Sequence, residues 1–558
     1  MACQLTLEGM GMKLCQVVTW CLFLPLSILP GRAQKRENYR GLLTPKVASD
    51  KLPGPQRLRD YVADGKLRLG LRDTVVLTLK NNSSVRVQES QVETDKFALL
   101  RTYQPFDPQL QTVVDVNRYS YAGTNQLQGV GTSGNGTLNL LTQSAQVNYN
   151  QTFQTGTNIV VGLGSTKNSI NSAFYFFNPY FSSTLKLQFT QPLLRNGWRF
   201  ANRAPLVIAR RVLQQSQANF EAQVNDAVLQ VVTQYWAVVQ ARGDLEVERK
   251  SLEAADASYQ RDKRALELGA LAPLDIYRSE SEVASRRVQM IQGEYALKRT
   301  EDALRLTIGA DQDPYFRALD LELTEKPDPE GELRSIDAAT ALQQAQAQRP
   351  EFLVARYALE NDDTGIRLAR NHLKPDLSLT GFYQSNGLGG NEFSLTTGQL
   401  ISQGGLGSSF NQLFGFGFPG YGATLTLNLP IKNRAAQADL GNALVSRHRD
   451  MYSAQQIQEQ VMLDVSNSIH QLELAKLTLA AGKTALDLAQ KELTAEQRKY
   501  ELGAQTIFFL LDAQTKLAQA ESSLLQAQIT YQIAVAAVDH ATGGLLQPYH
   551  IQLAELSQ

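Results

Sequence analysis

The chain has 558 residues, 43% of them apolar, and its 54 basic and 54 acidic residues cancel to a formal charge of zero. That balance excludes an electrostatic grip on nucleic acid or anionic lipid as the basis of its activity. All three cysteines (Cys3, Cys15, Cys21) precede residue 22, which excludes a disulfide scaffold, a thiolate metal site and a cysteine nucleophile from the rest of the chain.

In chain order, residues 1–33 read as a secretory signal. Lys13 precedes the mostly apolar stretch Leu14–Leu29, and Gly31-Arg32-Ala33 offers small residues at the cleavage positions. No cysteine follows that site, so an N-terminal lipid anchor is not expected. Beyond it no apolar run reaches the ~18 residues of a membrane-spanning helix. Residues 34–66 form an extended N-terminal segment. Leu71–Tyr103 reads as one helix, stopped by Pro105 and Pro108. Residues 109–192 turn to Gly, Asn, Ser, Thr and Gln with short alternating runs. Ile159, Val161 and Leu163 share one face, as do Leu185, Leu187 and Phe189; this period of two marks strands with one apolar face.

From Trp198 to Leu268 the pattern is helical, and after Pro205 no proline occurs until Pro273. At 1.5 Å per residue such a helix is a rod of roughly 100 Å, too long for a globular domain. Val224, Val228, Val231, Tyr235, Val238, Leu245 and Leu252 form its heptad stripe. A turn at Gly269 leads into a return helix, 271–308, and residues 311–335, with Pro314, Pro327 and Pro329, form a linker.

The second half (336–546) repeats the first (67–310). Asp337–Arg370 reads as a helix. Leu377, Leu379 and Tyr383, and then Leu425, Leu427 and Leu429, alternate with polar residues. A long helix 432–502 carries Val465, Leu472, Leu479, Leu486, Leu493 and Tyr500 seven apart, with Ala475, Gly482 and Ala489 beside three of the leucines, so close helix approach and a left-handed supercoil are expected. The turn Glu501-Leu502-Gly503-Ala504 matches Glu267-Leu268-Gly269-Ala270, a return helix 505–542 follows, and 547–558 is a tail. A repeat of this size governs the fold.

Each half therefore offers two strands of nearly bilayer-crossing length. Four strands cannot close a barrel, and open edges are not tolerated in lipid. Several copies would have to share one barrel; three would give twelve strands. A small soluble sheet packed on the helices is the alternative for the strands, and a secreted coiled-coil structural or adhesive protein is the alternative for the whole chain. Catalysis is not expected: His372, His448, His470, His540 and His550 are scattered, and Gly162–Lys167 lacks the ending of a phosphate-binding loop.

Arg349-Pro350-Glu351, Lys374-Pro375-Asp376-Leu377, Gln191-Pro192-Leu193-Leu194, Asn428-Leu429-Pro430-Ile431, the two glycine turns and the ending Ala541-Thr542-Gly543, in this order, resemble the TolC-like outer-membrane efflux family. The resemblance implies an α+β membrane protein without cofactors. It implies a homotrimer with four strands per chain in a shared twelve-stranded outer-membrane β-barrel, above a twelve-helix α-barrel through the periplasm. It implies a passive exit duct for a tripartite efflux or type I secretion system, with a periplasmic adaptor protein and an inner-membrane transporter of RND, ABC or MFS type as partners; drugs, metals, lipids and proteins all remain open as cargo.

The family's closed end has acidic rings six and nine residues after the second turn glycine. Asp512 matches the ninth position, and Phe509 replaces the sixth with an apolar constriction, which can gate by dewetting. Three Asp512 carboxylates around one axis would oppose full ionisation and favour a bound cation. The family's latch would use Asp275 and Tyr500, with Gln505 standing where the family has arginine and Arg278 as the nearby substitute. Leu268, Gly269, Ala270, Leu502, Gly503 and Ala504 correspond to the adaptor-docking tips.

Overall fold

The computed structural model describes residues 54–124, 136–172, 174–268, 274–329, 331–502 and 504–551. A hairpin, β1 (Val62–Ala63) and β2 (Lys66–Leu69), leads into helices α1 (Leu71–Asn81) and α2 (Ser83–Arg101). The single helix expected over Leu71–Tyr103 is thus two: the Asn82 side chain accepts from the Ser84 and Val85 amides and starts α2 afresh. Four long strands follow, β3 (Gln109–Ala122), β4 (Thr137–Thr152), β5 (Asn158–Ile170) and β6 (Phe177–Pro192). Next come the 70-residue α3 (Trp198–Glu267) and its return helix α4 (Asp275–Thr307). At 1.5 Å per residue α3 is about 105 Å long.

Between the halves lie a single turn, α5 (Pro314–Arg317), and β7 (Asp320–Leu323), which pairs in parallel with β2. The 311–335 stretch therefore carries a strand of a small sheet as well as linking the halves. The second half comprises α6 (Ala338–Gln348), α7 (Pro350–His372), β8 (Asp376–Phe393), the short β9 (Leu400–Ser402), α8 (Leu406–Phe414), β10 (Pro419–Asn428), the 68-residue α9 (Arg434–Glu501) and α10 (Ile507–Thr542). The helix expected over Asp337–Arg370 also breaks, at Arg349, because Pro350 cannot donate to the preceding turn and opens a new helix at its first position.

The long helices are held by the stripes their sequences carry. Val224, Val228, Val231, Tyr235 and Val238 of α3 are fully buried against α1, α4, α10 and the small sheet. Tyr235 donates to the Leu69 carbonyl (3.3 Å) and accepts from the Glu325 amide (3.1 Å), fastening both edges of that core. Tyr235→Phe is expected to leave the Glu325 amide unpaired, while the Leu69 carbonyl still accepts from the Thr324 amide (3.2 Å), and to cost about 1–3 kcal/mol, read as a lower thermal midpoint of the detergent-solubilised protein. On α9, Leu472, Ala475 and Leu479 are buried against Ala527, Tyr531, Ala534 and Val538 of α10. The return helices α4 and α10 are each followed by a glycine in the left-handed region, Gly309 at φ 76° and Gly543 at φ 80°, where the chain turns away.

The principal sheet runs β10-β8-β6-β5-β4-β3, all antiparallel, with β9 on the end of β8. The expectation of four strands per chain is corrected to six long strands among the described residues. The hairpin β3–β4 was hidden because its apolar side chains change face midway. Leu110, Val114 and Val116 share one face of β3, whereas Tyr119 and Tyr121 lie on the other. A period-two signal that shifts phase reads as a loop.

The register sorts the two faces of the sheet. Leu110, Tyr149, Val161, Leu187, Tyr383 and Tyr421 stand side by side in one row across all six strands. The adjacent row, on the opposite face, reads Gln111, Asn148, Gly162, Lys186, Gln384 and Gly420. One face is apolar, the other polar. Helix α8 lies on the apolar face where it is built of small residues: Ser409 donates to the Gly387 carbonyl and the Ser183 hydroxyl, and Ser385 to the Leu413 carbonyl. Its exposed Phe414, with Phe416 and Phe418 beyond it, carries the apolar surface over that patch. A β-carbon at Gly387 would collide with the Ser409 carbonyl, so Gly387→Val is expected to dislodge α8 and open 394–418 to protease in otherwise intact protein.

Candidate functional site at the helix tips

Both long helices end on exposed leucines, Leu268 (84% exposed) and Leu502 (78%), with Ala504 beside the latter. Gly269, Ala270 and Gly503, also assigned to these tips, lie outside the described residues, as does the side chain of Asp275.

The last turns of α3 and α9 meet at a buried carboxylate. Tyr500 donates to Asp262 Oδ1 (3.0 Å), and Ser279 of α4 donates to Asp262 Oδ2. Asp262 is fully buried. The Arg261 guanidinium lies over the Tyr500 ring, 5.5 Å from its centre, and donates to Ser258 (3.1 Å). One acid on α3 thus ties α9 and α4 to the same point. Of the expected latch residues, Tyr500 sits in this cluster, while Gln505 is half-buried with an Oε1 that has no hydrogen-bond partner among the described residues. Arg278 is exposed on α4.

The sequence reading missed Asp262. Its signal was available: Ala255, Ser258 and Asp262, three and four residues apart, continue the seam of α3, and all three are buried. A carboxylate on a seam position requires donors from its neighbours.

Along α10, Asp512 is half-exposed and paired with Lys516 Nζ (2.9 Å), which also reaches Glu492 of α9 (2.8 Å). The hydrogen bonds it donates to Glu492 and Asp512 hold the Lys516 ammonium above the ordinary lysine pKa, so it stays charged throughout the physiological range. Asp512 is therefore one member of a carboxylate–ammonium–carboxylate chain, which weakens the argument from three mutually repelling carboxylates. Phe509 is 45% exposed and meets Phe508 edge to face, with ring centres 5.4 Å apart. Arg286 of α4, nearly buried, reaches Thr515 of α10 and pairs with Glu282 (2.7 Å), a second cross-tie between return helices.

Farther up, the motif residues brace the junction between helices and sheet. Arg349 binds Glu351 (2.7 Å) and Asp464 of α9 (3.2 Å), joining α7 to the long helix. The Leu193 amide donates to the Leu377 carbonyl (2.7 Å) and the Arg195 amide to the Pro375 carbonyl (3.2 Å), so the strand exits of the two halves are stitched together.

Two further stripes lie on exposed faces of their helices. On α9, Val445, Tyr452, Leu463, Leu474 and Leu488 are all more than half exposed. At 100° per residue they fall within about 40° of one another, roughly opposite the buried Val465–Leu472–Leu479 seam. On α4, Tyr277, Val288, Tyr295 and Leu306 do the same, at spacings of eleven, seven and eleven.

The family model "Outer membrane efflux protein" matches residues 156–310 and 341–544. The outer membrane protein TolC of Vibrio cholerae is 24% identical over 361 residues, spanning 64% of this chain and 76% of that protein. Among solved structures, the Campylobacter jejuni CmeC outer membrane channel superposes with a TM-score of 0.60 at 15% identity, covering 95% of this chain and 98% of that one. CusC, described for transmembrane channel formation, gives a TM-score of 0.61 at 17% identity over 90% and 99% of the two chains. With two long helices, their return helices and a two-faced sheet all in place, the chain belongs to the outer membrane efflux protein family and is an outer-membrane protein.

Proposed function

We propose that three copies of the chain form one passive exit duct, serving a tripartite efflux or type I secretion system. The observation that carries this reading is the pair of apolar stripes on α4 and α9. Each is tens of ångströms long, and each lies opposite the seam its helix uses within the chain. A helix that is apolar on two opposite faces needs two neighbours. Within one chain α4 has α3 and α9 has α10; α4 of one copy set against α9 of the next closes a ring of helices. The polar face of the sheet then lines a continuous lumen, and its apolar face meets lipid. A secreted coiled-coil protein would need the stripes but not that sheet.

The closed end of the duct is the tip region. The Asp262–Tyr500–Ser279 cluster holds α9 against the α3–α4 pair, Phe509 and the Asp512–Lys516 pairs narrow the passage, and the tips at Leu268 and Leu502 receive the periplasmic adaptor. Energy comes from an inner-membrane transporter, because nothing in this reading requires the duct itself to do work. Asp512→Ala is expected to raise the single-channel conductance of the closed state in a planar bilayer. An unchanged conductance would remove Asp512 from the constriction. The reading as a whole is tested by extraction: the protein should leave the membrane only with detergent and run as a trimer.

A further inference from the structure

We propose that the hairpin β3–β4 is part of the barrel wall, and that β3 of one copy pairs with β10 of the next, so that three copies close eighteen strands rather than twelve. This rests on the shared-barrel reading above and specifies its seam. Four observations support it. First, the hairpin continues the sheet without a break: Leu110 pairs with Tyr149 and Tyr149 with Val161, in the same row that runs on to Leu187, Tyr383 and Tyr421. Second, up to the change of face at Asn117–Arg118 it keeps the sidedness of the wall. Leu110, Val114, Tyr149 and Val147 extend the apolar face, and Gln111, Asp115 and Asn148 the polar one. A hairpin lying outside the barrel in lipid would bury Asp115, Gln111 and Asn148 in hydrocarbon.

Third, β3 and β10 are the two free edges of the sheet's path, and β3 is exposed along nearly its whole length. A free edge of this length in a bilayer leaves its amides and carbonyls unpaired at several kcal/mol each. The occupant that supplies a second free edge, ten residues of β10 against the fourteen of β3, with an apolar and a polar face, is a second copy of this chain. Fourth, the count is even. Strand direction alternates across the six, so β3 and β10 run in opposite directions and meet as an antiparallel pair, the geometry every other pair in this sheet uses. The β4–β5 turn is also tied down at the helix end of the wall. Gly156, at φ 84°, leaves no room for a β-carbon beside Asn202 of α3 and the Asn196 carbonyl, so the hairpin's near end is anchored where β6 enters α3.

Barrel diameter grows roughly linearly with strand number, so an eighteen-stranded wall is about one and a half times as wide as a twelve-stranded one. The exit mouth would then admit bulkier cargo than the number of long helices suggests. The hairpin lies wholly before residue 156, where the family match begins.

The test is disulfide scanning of the full-length protein in outer membranes, with Cys3, Cys15 and Cys21 changed to serine. Val114→Cys on β3 is combined with Tyr421→Cys, Ala423→Cys or Leu425→Cys on β10. The comparison set puts Ser165→Cys, at the same level on β5, with the same three partners. The proposal expects covalent dimers and trimers under oxidising conditions from at least one Val114 pair and none from the Ser165 pairs. Cross-linking of β5 to β10 with none from β3 overturns the proposal while leaving a shared barrel standing. A chain that is monomeric in the membrane to a lysine-reactive cross-linker, and that forms neither disulfide, overturns both readings.

Discussion

Asp262→Ala is expected to shift the tips toward their open arrangement by on the order of a hundredfold. Asp262 is buried completely and accepts hydrogen bonds from Tyr500 at the end of α9 and Ser279 on α4. Hydrogen bonds to an ionised group are each worth about 1.5–3 kcal/mol, and one factor of ten corresponds to about 1.4 kcal/mol. Removing the acceptor leaves both hydroxyls without it and frees α9 to move away from the α3–α4 pair. The shift should appear as a rise in closed-state conductance in planar bilayers, together with sensitivity of whole cells to large antibiotics that the outer membrane normally excludes. Tyr500→Phe removes one of the two bonds and should give a smaller rise in the same direction. If Asp262→Ala conducts like the parent while the protein remains a trimer, the cluster at the tips is a fold-stabilising tie and the latch lies elsewhere.

The second large effect is on assembly. Leu474→Asp, or Tyr295→Asp on the facing stripe, is expected to abolish the proposed trimer while leaving the protomer folded. Leu474 and Tyr295 are 61% and 66% exposed in the single chain, and Tyr295 gives up within it only the Lys298 ammonium over its ring, 5.1 Å from the centre, so neither substitution touches the protomer core. Burying such a side chain between copies contributes about 1.5–3 kcal/mol, and an unpaired carboxylate in its place adds a desolvation cost of several kcal/mol. Three equivalent interfaces multiply the loss. Size-exclusion chromatography with light scattering separates this outcome from misfolding, because helical circular dichroism should persist. Leu472→Ala, two residues away on the buried seam, should do the reverse: it costs about 2–5 kcal/mol of protomer stability through the cavity beside Ala534 and Val538, without acting on the copy-to-copy face.

The helices were the legible part of the sequence because a strict seven-residue stripe without proline has one physical solution. Val465, Leu472 and Leu479 lie buried in the α9 seam. The breaks at Asn82 and Arg349-Pro350 were harder to read, since the apolar spacing continues across them and only the cap chemistry marks the interruption. The second pair of strands was illegible for the opposite reason. β3 and β4 change their apolar face partway, at Asn117–Arg118 and Leu140–Leu141, and a periodicity argument needs constant phase.

At the tips, Asp512 and Tyr500 could be picked out by counting from the turn glycine, but the partner of Tyr500 could not. Lys516 lies one helical turn beyond Asp512 on the same face, so that pairing was open to inspection. Asp262 lies 238 residues before Tyr500, and only the folding of both long helices to one end brings the two together.

The apolar stripes on α4 and α9 make sense only if each helix has a neighbour outside its own chain, and the six-stranded sheet can lie in a membrane only if its edges are shared. The most direct measurement of both is the mass and shape of the mature protein purified from membranes: light scattering for the number of copies, and particle imaging for the lumen. A detergent-dependent trimer with a hollow helical rod about 100 Å long below a barrel is the expected result. A water-soluble monomer with no passage through it would contradict the shared duct outright.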